Sequence, residues 1–179
     1  MHTIYLLIGK SGCGKSTIAD KLSKIGYSQL PSFTTRPMRN GEVEGKDHTF
    51  ISNELFHQMY SNNQIAASTY FNSNYYGASK RDVLNYDIYV IDKAGLIELK
   101  KTMEGRVNIV SIYIEAPTLQ LIKRMRKRGD TWLKITSRII NDFKMFKGTE
   151  KLCGYCLPNN YLVDTVRKIE SIIQAGEGV

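Results

Sequence analysis

Gly9-Lys10-Ser11-Gly12-Cys13-Gly14-Lys15-Ser16-Thr17 fits the spacing G-x-x-x-x-G-K-[ST] and directly follows the apolar run Ile4-Tyr5-Leu6-Leu7-Ile8. Strand, loop and helix in that order make a phosphate cradle. The glycines let the backbone turn its N–H groups inward, Lys15 adds a mobile point charge, and Ser16 offers a hydroxyl to magnesium at a helix N-terminus. The whole loop is expected to hold a triphosphate, against the plainer reading of an ordinary glycine-rich turn. Arg36 and Arg39 are planar forks suited to the oxygens of a monophosphate, and the Tyr76 phenol is a further donor. Two arginines bracketing Pro37, with Glu42 close behind and no helical periodicity, look more like a ligand clamp than a solvated charged loop.

A chain of 179 residues fits one compact domain, so any subdomain must be an insertion. No apolar run approaches the ~20 residues of a membrane span, and Met1-His2-Thr3 lacks the positive flank of a signal peptide. The expectation is a cytoplasmic protein with no membrane partner. The net charge of +8 favours anionic partners. The basic residues gather at Arg36–Arg39 and Lys123–Arg128, beside phosphate-handling motifs, with no RNA-binding signature; nucleic acid is disfavoured and a nucleotide favoured. Cys153 and Cys156 have metal or redox spacing but lack a second pair or a nearby histidine, so they read as reduced thiols near a strand.

The elements that must position these groups follow from periodicity. Apolar runs at Thr3–Ile8, Tyr86–Ile91 and Val107–Ile114 alternate with helical patterns at Lys15–Ile25, Gly95–Met103 and Thr118–Lys127. That alternation predicts an α/β fold, a central parallel sheet with helices on both faces. Residues 32–80 break the rhythm with a Gly/Arg/Glu-rich loop, a helical stretch Asn53–Ser61 and extended residues near Ala67–Phe71 and Tyr75-Tyr76, a small α+β insertion. Ser79-Lys80-Arg81-Asp82 matches a capping box, Pro117 fits a first helical turn, and Asp130–Leu133 reads as a short loop between helices, a candidate lid holding Trp132. Tyr155–Leu157 is a weak strand, Asn159-Asn160 offer caps, and Leu162–Gln174 is amphipathic.

Ser32 through Phe50 closely resembles the monophosphate-binding segment of guanylate kinases, S-x-T-T-R-x-x-R-x-x-E-x-x-G-x-D-Y-x-F, and Asn74-Tyr75-Tyr76-Gly77 resembles the N-Y-Y-G that closes the same pocket. The resemblance spans nearly the whole chain in order. It implies a three-layer P-loop NTPase fold as a single domain over 1–179: core 1–31, 81–128 and 148–179, monophosphate-binding insertion 32–80, lid 129–147. It implies ATP with Mg2+ as donor and a nucleoside monophosphate as acceptor, bound by Ser32, Arg36, Arg39, Glu42, His48, Tyr76 and Asp92. Transfer to an already ionised phosphate needs charge neutralisation and alignment rather than acid–base chemistry. Lys15, Arg124, Arg128 and Arg138 are the expected catalytic cations; Arg124 and Arg128 stand four apart on one helix face, while Lys123, Arg126 and Lys127 read as a solvated face. Asp92 could support magnesium beside Ser16, touch the acceptor, or simply cap the following helix. Asn159 falls where the family has an asparagine near the donor adenine.

Departures cluster where the family reads the base. Ala67 takes the place of the glutamate that reads guanine, Ala78 that of a serine or threonine, His48 that of a tyrosine and Val90 that of the first aspartate of D-x-D, while Ser32 remains. GMP or dGMP is the leading acceptor. Altered base preference is the nearest rival, and a non-catalytic guanylate-kinase-like binding module is the rival from another class, although this chain keeps Lys15, Ser16, Arg128 and Arg138 where such modules tend to lose them. A homodimer is left open.

Overall fold

The computed structural model describes residues 1–177. In chain order the elements are β1 Thr3–Ile8, α1 Lys15–Ser23, β2 Phe33–Thr34, β3 Thr49–Phe50, α2 Asn53–Ser61, β4 Ile65–Phe71, β5 Asn74–Ser79, α3 Lys80–Val83, β6 Ile88–Val90, α4 Lys93–Thr102, β7 Asn108–Glu115, α5 Thr118–Lys127, α6 Trp132–Met145, β8 Tyr155–Pro158 and α7 Leu162–Glu177. The first sheet is parallel, in the order β6-β1-β7-β8, and a bridge from Gln29 to Ile88 extends it by one short edge.

β1 shows why this sheet is buried on both faces. Ile4, Leu6 and Ile8 join one apolar cluster with Leu96 and Leu99 of α4, whereas Tyr5 and Leu7 join the other with Ile18 and Leu22 of α1. Alternate side chains thus feed two helical layers, as a parallel sheet requires. The chain leaves β1 for β6 on one side and β7 on the other, so a crevice opens beyond the C-terminal end of β1, the place where open α/β sheets bind ligands. The phosphate loop occupies it.

The second sheet, β3-β2-β5-β4, is built from the segment that broke the rhythm. Its β4–β5 hairpin turns through Asn72-Ser73, both at positive φ, the conformation a two-residue hairpin needs. Phe56 of α2 stacks on Tyr75 at 4.8 Å, and Glu98 of α4 accepts from Ser68 N at 2.6 Å and Ser68 Oγ at 3.0 Å, pinning β4 to the core.

Several boundaries differ from the sequence reading. The expected loop Asp130–Leu133 is shorter, because Thr131 caps α6, its hydroxyl accepting from Lys134 N, and helix begins at Trp132. Most of the expected lid is therefore a 14-residue helix. Ser79 does cap α3, accepting from Asp82 N at 3.0 Å, but that helix lasts only four residues. Among the described residues no helix is long and apolar enough to cross a membrane, and no group of three metal-ligating side chains forms.

Candidate active site

Two cavities meet at the phosphate loop, and Ser11 and Lys15 line both. The loop's shape depends on two missing side chains. Gly9 lies where a Cβ would strike the Ile114 carbonyl and Cys13 Sγ, and Gly14, at φ 105°, lies where one would strike the Asn159 amide. Gly14 is also the N-cap of α1, so no side chain covers the helix's first turn and its backbone donors face the second cavity. Lys15 Nζ donates to the Gly9 carbonyl at 2.6 Å and the Lys10 carbonyl at 3.1 Å.

The second cavity, about 510 Å³, is lined by Gly12, Gly14, Ser16, Thr17, Arg124, Lys127, Arg128 and Arg138 besides Ser11 and Lys15. Among the described residues that line it there is no carboxylate. Arg124 does more than face the cavity. Its guanidinium donates to the carbonyls of Cys13 at 3.1 Å, Gly12 at 3.4 Å and Asn159 at 2.8 Å, clasping the loop from behind. Asn159 is 2% exposed and donates through Nδ2 to the Cys13 carbonyl at 2.8 Å, while Thr165 Oγ1 donates to its Oδ1. It lines neither cavity, and its amide holds the loop in place. Cys13 is buried beneath the loop, and Lys10 turns away, its ammonium 4.1 Å over the Phe143 ring.

Arg128 pairs with Asp130 through Nε at 3.1 Å and through Nη2, and Arg138 approaches the same carboxylate oxygen at 4.0 Å. Burial works to raise the Asp130 carboxyl, but the Arg128 hydrogen bond and the surrounding cations leave it below its ordinary value. One anion thus holds two catalytic candidates from α5 and α6 near each other. Lys127 joins them in lining the cavity, where a purely solvated role was expected.

The first cavity, about 260 Å³, collects Ser32, His48, Tyr76 and Asp92 of the expected acceptor residues with Gly9 and Lys15. His48 Nδ1 lies 2.9 Å from Ser32 Oγ; burial first, and then the Arg36 charge, push the imidazole down, so it is neutral near pH ~7. Asp92 Oδ1 accepts from Gly95 N at 2.8 Å, capping α4, and from Thr69 Oγ1 at 2.9 Å. It is a cap and a wall of the cavity at once. Ser16 and Asp92, the two expected metal contacts, line different cavities.

Arg36 is 7% exposed and forms a bidentate pair with Glu42, at 2.7 and 2.5 Å. Glu42 also accepts from Arg39 N at 2.8 Å. The Arg36 hydrogen bond is the chief reason the Glu42 carboxyl sits at about 2 instead of 4.5. Neither Arg36 nor Glu42 faces the first cavity; Arg39 and Glu42 line a separate cleft together with Arg128 and Arg138, between the insertion and α6. The expected clamp is therefore split, Arg36 held inward and Arg39 outward.

One side chain at the phosphate loop was not foreseen. Asp142 of α6 accepts from Ser11 N at 2.6 Å, placing a carboxylate on the backbone of the phosphate loop across 131 residues of sequence. Nothing local marks it; only its position on the helix face that meets the loop does.

The family model for guanylate kinase matches residues 1–176. The chain is 30% identical over 189 residues to the guanylate kinase of Anaplasma phagocytophilum, covering 96% of this chain and 86% of that one. It is 32% identical over 186 residues to that of Hydrogenovibrio crunogenus, covering 97% and 87%. The crystal structure of guanylate kinase from Anaplasma phagocytophilum superimposes with a TM-score of 0.70 at 27% identity, over 98% of this chain and 86% of that one.

Two measurements probe the site's electrostatics. Because the folded value of Glu42 lies below its ordinary 4.5, the stability it contributes is complete above about pH 4.5 and is lost as the pH falls toward about 2. The gap in thermal midpoint between the parent and Glu42→Gln should be constant down to pH 4.5 and close below it; a gap indifferent to pH would contradict the pairing. Asp142 occupies a donor that a phosphate would use, so Asp142→Ala should tighten ATP binding by roughly tenfold in calorimetry, the scale of one competing charged hydrogen bond. Weaker binding would show that Asp142 assists the nucleotide.

Proposed function

This chain belongs to the guanylate kinase family, and we propose that it moves the γ-phosphoryl group of ATP onto a nucleoside monophosphate, GMP or dGMP, where its two cavities meet at Lys15. It is a nucleoside monophosphate kinase. The observation that carries the assignment of sites is the shared wall: a cationic, carboxylate-free cavity on one side of Ser11 and Lys15, and a smaller, mostly apolar one on the other.

The donor's phosphates lie against the loop N–H groups and the uncapped start of α1, with Arg128 and Arg138 over them. The base of the acceptor enters the first cavity, and its phosphate is directed by Tyr76 and His48 toward Lys15, with Arg39 reaching across the cleft and Glu42 holding Arg36 in register. An acceptor phosphate oxygen attacks the γ-phosphorus while the bond to the β–γ bridging oxygen breaks, leaving the electron pair on ADP. No proton must move, so the work is alignment and charge neutralisation. Lys15 exchanges the Gly9 and Lys10 carbonyls for the transferred group.

The donor set suits a magnesium ion that arrives on the nucleotide: exposed hydroxyls at the helix start, Ser16 first among them, and no carboxylate cage among the described residues. Ser16 would hold it together with the phosphates, where it would neutralise charge on the β and γ oxygens. Asp92 fits better as a contact of the acceptor side, since it lines the other cavity. The core, insertion and lid divide at residues 32–80 and 129–147 in this reading, with α6 as the body of the lid.

Lys15→Ala should leave the fold intact and lower kcat by about 10²–10⁴, the scale of one transition-state charge contact. A coupled ADP-release assay with GMP and dGMP checks it. Near-normal turnover by the variant would overturn the assignment of Lys15, and a parent that phosphorylates no monophosphate would favour the non-catalytic binding module.

A further inference from the structure

Ala67 and Ala78 stand directly opposite each other in the β4–β5 ladder, and both are buried. Ala67 lines the first cavity and offers it a methyl group and no side-chain hydrogen bond, with Ala78 packed beside it. Tyr89 of β6 belongs to the same apolar cluster as these two alanines, lines the first cavity, and is only 4% exposed.

The other polar side chains on this side of the cavity are engaged: Ser32 with His48, Ser68 with Glu98, Thr69 with Asp92. The Tyr89 hydroxyl has no hydrogen-bond partner among the described residues. The Tyr89 ring is buried but its hydroxyl is open to the cavity, and an unpaired donor there is a position that a ligand atom can fill. Burial first, then the charges of Asp92 and Glu98, push its pKa up, so the group is a neutral O–H at any physiological pH. Asp92, with Oδ1 engaged by Thr69 and Gly95, presents Oδ2 without a hydrogen bond among the described residues.

We propose that Tyr89 is the specificity-determining residue for the acceptor base, its hydroxyl donating to the carbonyl of a 6-keto purine while Asp92 accepts from the neighbouring ring N–H. An amino base reverses that order: its bare ring nitrogen faces the Asp92 carboxylate with no proton between them, and the phenol can only accept from the amino group, which leaves its own O–H unpaired. The inference rests on reading the first cavity as the acceptor site. It explains how a pocket with Ala67 in its wall, and with Ser68 and Thr69 engaged by Glu98 and Asp92, keeps a polar contact to the base: the group comes from β6 instead.

The test compares the parent with Tyr89→Phe on GMP, AMP and the monophosphate of 2-aminopurine riboside, which lacks the carbonyl, by steady-state kinetics and by calorimetric binding. Tyr89→Phe should raise KM and Kd for GMP roughly 3- to 10-fold, the value of one neutral hydrogen bond, with kcat within about twofold and AMP unchanged. The 2-aminopurine ring also lacks the N–H that Asp92 accepts, so the change from GMP should weaken binding to both proteins, and should cost the parent a further factor of roughly 3 to 10 that it does not cost the variant. The ligand comparison in the parent alone decides the case if the variant does not fold: no loss on removing the carbonyl overturns the inference. So does an active, folded Tyr89→Phe enzyme with unchanged GMP constants, which leaves the kinase reading standing. A parent that binds GMP in a carbonyl- and Tyr89-dependent way but turns over no monophosphate refutes the kinase reading and retains this one. A parent that neither binds nor phosphorylates GMP overturns both.

Discussion

A helix that begins with no side chain over its first turn is the constraint on which the rest of this structure depends. The start of α1 leaves backbone donors open, and they can stay open only because the loop before them is held from outside. Arg124 and Asn159 take the loop's carbonyls, one from α5 and one from the segment after β8, and the glycine positions admit those neighbours at distances a side chain would forbid. The order of the parallel strands then fixes where this donor array points, into the crevice between β6 and β7.

Charge in the site is already paired before any ligand enters. Arg36 has Glu42, Arg128 and Arg138 share Asp130, Lys15 has two carbonyls, and the Ser11 N–H has Asp142. On the proposed assignment of sites, an anionic nucleotide would exchange partners instead of neutralising bare cations, and the pairs would hold each cation within reach of its next partner. That preorganisation is what a reaction requiring alignment and neutralisation needs. Arg124 shows what charge alone does not reveal: its position on the basic helix is that of a phosphate ligand, yet one of its nitrogens serves the Gly12 and Cys13 carbonyls of the loop and another serves Gln120 and Asn159.

Local chemistry was legible in the sequence, and tertiary contact was not. The phosphate loop, β1 at Thr3–Ile8, α2 at Asn53–Ser61 and α5 at Thr118–Lys127 follow from spacing and periodicity, because each is decided by neighbours within a few residues. α6 was half missed: Gly129 and Asp130 signal a break, but Thr131 restarts the helix at once. Asn159, Asp142, Glu98 and Tyr89 owe their roles to partners far along the chain or to the absence of one, which periodicity does not encode. The alanines at 67 and 78 were visible as a loss, whereas what fills the space beside them required the register of β4 on β5 and the face of β6.

On the proposed assignment, donor and acceptor sit on opposite sides of one wall at Lys15 and Ser11, close enough for direct transfer. The most direct measurement is the affinity of a bisubstrate compound, adenosine joined to guanosine through a chain of five phosphates, against ATP and GMP separately. If the cavities are in line, the linked compound engages both sites at once and should bind at least ~10²-fold more tightly than either nucleotide. Binding no tighter than ATP alone would place the two sites out of line and contradict the account.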